Sequence, residues 1–290
     1  MPTNILQGNI KIIECPRDAM QGILDFIPTK DKIDYLNALL KVGFNTIDCG
    51  SFVSPKAIPQ MQDTQEVLEQ IDLDSTDSKL SVIVANERGA SDAVKFSQVD
   101  YLGYPFSISE TFQRRNTNKS VNESLDLVKR IQNLSGENGK EMVVYISMGF
   151  GNPYGEDWSA ELVGDWVDKI HQLGVKYFSI SDTVGVSEEK GIAEVYSLLF
   201  KNFSEAEFGA HFHTTPHQWE EKVKAAHLNG CTRFDGAIKG YGGCPMAKDD
   251  LVGNMPTEKL IEYFGFDFLK LKKAPFNEAF LLADKIFSKY

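Results

Sequence analysis

Cysteine is scarce in this chain. Its 290 residues include four, Cys15, Cys49, Cys231 and Cys244. They are scattered and form no CxxC pair, which excludes a disulfide scaffold and points to reduced thiols. Positive charge is in deficit, with 30 Lys and Arg against 41 Asp and Glu, a net charge of −11. Nucleic acids and anionic membranes require positive potential, so neither is an expected partner. An anionic substrate would need cations built locally into its site. No apolar run approaches ~18 residues, so no spanning helix is expected. The opening MPTNILQGNIKIIE lacks both a basic segment followed by an apolar stretch and an Arg-rich transit pattern. The ending FSKY is not a peroxisomal tripeptide, and a cytoplasmic location is expected. No Pro/Gly/Ser-rich linker divides the sequence. No GxGxxG follows the first strand, which disfavours an open doubly wound sheet.

What is present is an ordinary globular composition, 42% hydrophobic and 24% charged. A chain of this length buries roughly three quarters of its unfolded surface, so a large core is available. Eight short runs rich in Val, Ile, Tyr and Phe recur at 10–15, 45–50, 80–85, 99–104, 141–147, 177–182, 207–213 and 232–238. Their length and composition fit buried parallel strands. Helical patterns lie between them at 30–42, 121–134, 159–173, 188–201 and 217–228. The first sets Ile33, Leu36, Leu39, Leu40 and Val42 on one face, with Thr29 as N-cap and Gly43 past the end. Three junctions, KVGFNTIDCG, QLGVKYFSISD and LNGCTRFDGAI, each read helix, glycine stop, then a strand ending in aspartate. The alternation predicts an α/β fold, a (β/α)8 TIM barrel, with extra C-terminal helices. One domain is expected over 1–290, with the barrel at about 10–250 and a helical tail at 255–290.

In such barrels chemistry sits at the C-terminal ends of the strands. Those ends carry Glu14, Arg17, Asp18, Asp48, Asp182, His211, His213 and Asp235. Each alone could be a structural ion pair. Carboxylates gathered at one rim repel, however, unless a cation joins them. His211 and His213 stand at i and i+2, so both imidazoles face one metal or one cavity. His217, four residues on and next to Pro216, reads as a loop residue. The run Gly240-Tyr241-Gly242-Gly243-Cys244-Pro245 suits a mobile lid, a close backbone approach to a ligand, or a plain turn. It ends in a thiol able to carry a proton beside a metal.

The segments ECPRDAMQG at 14–22, SFVSPK at 51–56, SDTVGV at 181–186, HFH at 211–213 and GGCP at 242–245 with Gly253-Asn254 together resemble the 3-hydroxy-3-methylglutaryl-coenzyme A lyases. That family is related to isopropylmalate synthases and hydroxy-oxovalerate aldolases. The resemblance implies a carbon–carbon lyase that cleaves its acyl-CoA substrate to acetoacetate and acetyl-CoA with a divalent metal, Mg²⁺ or Mn²⁺, Zn²⁺ being possible. It implies Asp18, His211, His213 and Asn254 as metal ligands. Arg17, Asp18, Asp48, Asp182 and Cys244 would be catalytic, with Arg17 stabilising the enolate and Cys244 moving a proton. Gln21, Ser51 and Lys56 would bind substrate. A homodimer is the expected assembly. Some positions depart from the family. Asp48 stands where glutamate is usual, so its reach to Arg17 needs a shifted backbone. Thr214 replaces an aspartate, and Met148 and Asn152 replace two cysteines. Residues 22–26 lack the lysine that would hold CoA phosphates, leaving Lys56, Arg114 and Arg115 as substitutes. Two other readings stay open: an aldolase or transferase acting on a 2-oxo acid or another acyl-CoA, and a non-catalytic barrel that binds an acyl thioester.

Overall fold

The structure, a computed structural model, describes residues 9–74, 76–243 and 252–289. Eight parallel strands form its centre: β1 Lys11–Glu14, β2 Thr46–Ser51, β3 Lys79–Ile83, β4 Val99–Ser107, β5 Glu141–Ser147, β6 Tyr177–Asp182, β7 Glu207–Thr214 and β8 Arg233–Gly236. Each pairs with the next, and β8 returns to β1, closing the ring. This is the expected (β/α)8 barrel, and closure leaves the ring without an edge strand. A two-residue strand, β9 (Gly253–Asn254), adds antiparallel to the end of β7 and pairs Asn254 with His213.

The long helices fall where their periodicity predicts. These are α2 Thr29–Leu40, α6 Val121–Glu137, α7 Ala160–His171, α8 Glu189–Asn202 and α9 Trp219–Leu228. Four short helices lack a long apolar stripe and were not legible: α1 Pro16–Gln21, α3 Thr64–Gln70, α4 Glu87–Ala93 and α5 Glu110–Thr117. The tail forms α10 Thr257–Phe264, α11 Phe266–Leu269 and α12 Lys273–Phe287, and α12 packs on α2. Thr29 is not the cap of α2. Pro28, with ψ 136°, precedes the first turn, and no side chain caps it. Proline's fixed φ sets the entry there instead. Among the described residues no helix is long and apolar enough to cross a membrane.

The main apolar core lies between strands and helices and includes Leu36, Leu39, Val82, Val144, Phe178 and Ile192. The barrel interior is different. It holds a small apolar layer of Ile83, Val143 and Tyr145 with Tyr101 and Tyr177 against it. Below that layer Lys11 donates to Glu207 at 2.5 Å, and the Arg233 side chain lies across Gly209, where a Cβ would come within 3.1 Å. Above it sit Asp48, His211 and Asp235. An interior this polar leaves room for chemistry at the strand ends, whereas the usual barrel fills that space with branched aliphatic side chains.

Glu14 turns away from this interior. Its carboxylate accepts from the Ile238 N–H at 3.0 Å and from Thr257 Oγ1 at 2.5 Å, tying β1 to α10. Burial pushes its carboxyl up to about 8 from an ordinary 4.5, with those two hydrogen bonds opposing. The folded chain therefore holds one more proton than the unfolded chain between these values. Stability from this group is complete below pH 4.5 and is lost as pH rises through about 8. Urea unfolding followed across that range should show a declining free energy, and Glu14→Gln should flatten the slope. An identical slope in the variant would reject the protonated, buried Glu14.

Candidate active site

The first turn after β1 makes the centre of the site. Pro16 opens α1, which needs no N–H there, and the following residues, Arg17 and Asp18, are both buried at the barrel mouth. Arg17 donates from Nε to Asp48 Oδ1 and Oδ2 at 3.3 and 3.0 Å, and from Nη2 to Asp48 Oδ2 at 2.5 Å. Its Nη1 donates to Asp18 Oδ1 at 3.0 Å and to Gln21 Oε1 at 2.9 Å. Gln21 in turn donates to Asp18 Oδ1 at 2.6 Å. Asp48 thus reaches Arg17 despite its short side chain, and the register of β2 against β3 shifts between Asp48 and Gly50 at that point. Burial works against the Arg17 charge, but Asp48 and Asp18 outweigh it and hold the guanidinium firmly protonated.

Asp18, His211 and His213 offer ligand atoms that all lie within 4.8 Å of one another. His211 Nε2 stands 3.9 Å from Asp18 Oδ2. That carboxylate oxygen is buried and has no hydrogen-bond partner among the described residues. Each ring is oriented from behind. His211 Nδ1 meets Asp235 Oδ2 at 3.1 Å, and His213 Nδ1 meets the Thr183 carbonyl at 2.9 Å. Both Nε2 atoms are then left for the centre, as metal-binding histidines require. Burial lowers the His213 pKa, and the neighbouring His211 lowers it further, so the ring is neutral and able to ligate. Burial also opposes charge on His211, but Asp235 overcomes it and makes that ring more basic. Burial raises Asp18, yet Arg17 and the two histidines bring it below the usual carboxylate range.

Asn254 completes the ring from β9. Its Nδ2 donates to the Tyr241 carbonyl at 2.9 Å, and among the described residues Oδ1 has no hydrogen-bond partner. The glycine-rich segment makes a close approach here. At Gly242 (φ 88°) a Cβ would fall 2.5 Å from the Asp18 carbonyl and 2.9 Å from Asn254 Nδ2, so no larger residue fits. The unpartnered oxygen, two neutralisable imidazoles and an amide oxygen fit a divalent cation. Cys244 lies outside the described residues.

A cavity of about 410 Å³ opens over this centre. Arg17, Asp18, Gln21, His211 and His213 line it, and across the mouth so do Phe112 and Arg115 of α5. Among the described residues, five expected site residues are not part of its wall. Asp48 is buried behind Arg17, and Asn254 is buried on β9. Asp182 is buried, and its carboxylate accepts from Ser187 Oγ and N, Val186 N and Lys222 Nζ, while its neighbours Ser181 and Thr183 line the cavity. Ser51 is buried, accepts from Val53 N and lies at a second, smaller hollow. Lys56 is exposed on a turn, outside the cavity wall, while Val53, Ala57 and Ile58 belong to it. Tyr145, edge-on to His211 at 5.6 Å, is a wall residue that only strand alternation could have flagged. Lys222 carried no signal, being one of several charges on an amphipathic helix.

If this ring binds a metal, His213→Ala should abolish Mn²⁺ binding in a titration of the metal-free protein while circular dichroism stays that of a folded barrel. Binding at full stoichiometry in the variant would remove His213 from the ring.

Comparison with known proteins shows the family of this chain. Residues 9–265 match the HMGL-like family. The chain is 32% identical over 246 residues to a hydroxymethylglutaryl-CoA lyase of Bacillus subtilis, covering 85% of this chain and 81% of that one. It is 32% identical to a cytoplasmic 3-hydroxy-3-methylglutaryl-CoA lyase of Danio rerio, covering 91% and 81%. An HMG-CoA lyase from Acinetobacter baumannii, solved with coenzyme A and 3-methylmalate, superposes with a TM-score of 0.89 at 28% identity, covering 99% of this chain and 93% of that one. The chain belongs to the HMGL-like family, alongside the hydroxymethylglutaryl-CoA lyases.

Proposed function

We propose that this protein cleaves 3-hydroxy-3-methylglutaryl-CoA to acetoacetate and acetyl-CoA by a retro-Claisen step. The observation that carries this reading is Arg17, a cation locked in the barrel mouth beside the carboxylate–histidine ring and facing the same cavity. A divalent cation held by Asp18, His211, His213 and Asn254, Mg²⁺ or Mn²⁺ in this reading and Zn²⁺ as the other candidate, would polarise the substrate carboxylate and tertiary hydroxyl. Arg17 does the next part of the work. As cavity water, acting as base, takes up the hydroxyl proton, the O–H electrons form the ketone carbonyl of acetoacetate, the C–C bond breaks, and its electrons pass to the thioester carbonyl oxygen. Asp48, Asp18 and Gln21 occupy four of the five guanidinium N–H groups, so the fifth is presented to that oxygen in a fixed direction. Protonation of the enolate carbon finishes the reaction, and Cys244 is our candidate donor. The described cysteines, Cys15, Cys49 and Cys231, are buried free thiols, which suits a reducing, cytoplasmic compartment.

An acyl-CoA needs a cation for its phosphates in an acidic protein, and Arg115 is the best placed of the three substitutes. Arg114 is engaged with Glu110 at 2.7 Å, and Lys56 lies off the cavity wall. Arg115 lines the cavity and stacks over Tyr154 at 4.9 Å, where the ring holds the guanidinium without neutralising it.

The direct test is release of acetoacetate from the CoA thioester by protein reloaded with Mg²⁺ or Mn²⁺, with loss of release in EDTA. No release with either metal would overturn the assignment. For Arg115→Ala, KM for the CoA thioester is expected to rise about tenfold, or about 1.4 kcal/mol, with kcat unchanged. The same variant should leave KM unchanged for the phosphate-free N-acetylcysteamine thioester. Equal KM changes for both substrates would take Arg115 out of phosphate binding.

A further inference from the structure

Behind the histidines lies a buried ion pair that the cavity does not touch. Lys222, on α9, has no solvent exposure. Its ammonium has three N–H groups, and all three are spent on three different pieces of backbone or side chain. It donates to Asp182 Oδ2 at 2.7 Å, to the Gly185 carbonyl at 3.0 Å and to the His213 carbonyl at 3.0 Å. Asp182 at the end of β6 closes the other half. Its Oδ1 takes the Val186 N–H at 2.9 Å, and its Oδ2 takes Ser187 Oγ at 2.6 Å and the Ser187 N–H at 3.1 Å. The loop 183–187 is therefore fastened along its length to one ammonium and one carboxylate.

That loop supplies the atom which orients His213. The Thr183 carbonyl receives His213 Nδ1, while Thr183 Oγ1 accepts from Met148 N at 2.9 Å. The loop also abuts the segment that leads to Asn254. A Cβ on Gly185 (φ 72°) would lie 2.5 Å from Val252. Two of the candidate ligands, His213 and Asn254, thus take their positions from one loop. An ion pair removed from water gains little stability over apolar side chains of the same shape, because desolvation cancels most of the attraction. What the pair does supply here is direction, five hydrogen bonds aimed at fixed loop and strand positions beyond the one that joins the pair.

We infer that Asp182 and Lys222 form a positioning clamp that sets the tautomer and place of His213, through Thr183, for metal binding, and that Asp182 does not touch the substrate. This rests on the metal-centre reading above. The experiment measures Mn²⁺ affinity of metal-free protein by calorimetry, together with thermal midpoint, and then kcat at saturating Mn²⁺. Lys222→Met alone leaves Asp182 buried and uncompensated and invites misfolding. The double variant Asp182→Asn with Lys222→Met removes both charges. It should keep a thermal midpoint within a few degrees of wild type while weakening Mn²⁺ binding about 10–100-fold, as loss of support behind a metal ligand does. At saturating Mn²⁺ its kcat should return to within about fivefold of wild type, since no group that meets substrate has changed. Ser187→Ala, which buries no charge, loosens the same loop and should weaken binding about 3–10-fold.

Unchanged Mn²⁺ affinity in both variants, with or without a lower thermal midpoint, would overturn the clamp. So would a double variant that binds Mn²⁺ normally yet loses about 100-fold or more in kcat at saturation, the signature of a directly catalytic Asp182. If the double variant fails to fold, Ser187→Ala decides by the same affinity measurement. Wild-type protein that binds no Mn²⁺ would instead remove the metal-centre reading itself, and the clamp with it.

Discussion

The mouth of this barrel is organised by the burial of one guanidinium. Arg17 is almost wholly removed from solvent, and such a cation is tolerable only if its donors are met by acceptors of opposite charge. Asp48 meets it with both oxygens from β2, and Asp18 and Gln21 meet it from its own short helix. The pairing has three consequences. It locks α1 against β2. It uses one oxygen of Asp18 and leaves the other facing His211. It also lets a cation persist in an acidic protein at the one place where negative charge develops in the proposed reaction.

Charge is buried elsewhere too, and two of the buried ion pairs fasten loops. Lys32 pairs with Asp63 at 2.7 Å behind α2. Beside it Gln60 accepts from Ile27 N and donates to the Ile23 and Asp25 carbonyls, pinning the segment in which the family's lysine is missing. Lys222 and Asp182 fasten the loop after β6. Breaking one side of such a pair costs roughly 3–5 kcal/mol, so a loop held this way is far stiffer than its exposed, polar sequence implies. Thr183 of the second loop lines the cavity and orients His213, so the stiffness of that loop keeps the histidine in fixed relation to the centre.

The division of polarity explains why the barrel can host such a site. Apolar side chains of the strands face outward to the helices and make the main core, while the inward positions carry Lys11, Glu207, Arg233, Asp235 and His211 in close succession. Ser179 also donates to Asp235 at 2.8 Å, so the carboxylate behind His211 is held from two sides. The column converts what is usually packing space into an electrostatic support for the ligand ring.

From the sequence alone, the strands and the five long helices were legible, because each carries a local period of apolar residues, and α2, α7 and α9 run into a glycine stop at Gly43, Gly174 and Gly230. The identity of the rim residues was legible from topology: a polar group at the C-terminal end of a parallel strand lies at the barrel rim. The pairing of Arg17 with Asp48 and not Glu14 was not, since β1 turns Glu14 outward to α10 and only closure of the ring brings β2 beside α1. The same holds for Asp182. At the end of β6 it reads like Asp48 or Asp235, yet an ammonium from α9, 40 residues away, claims its carboxylate. Local pattern sets which residues reach the rim. Which of them face the cavity is settled by charges that meet only when the barrel closes, because a buried ion must be neutralised by whatever the tertiary fold sets beside it.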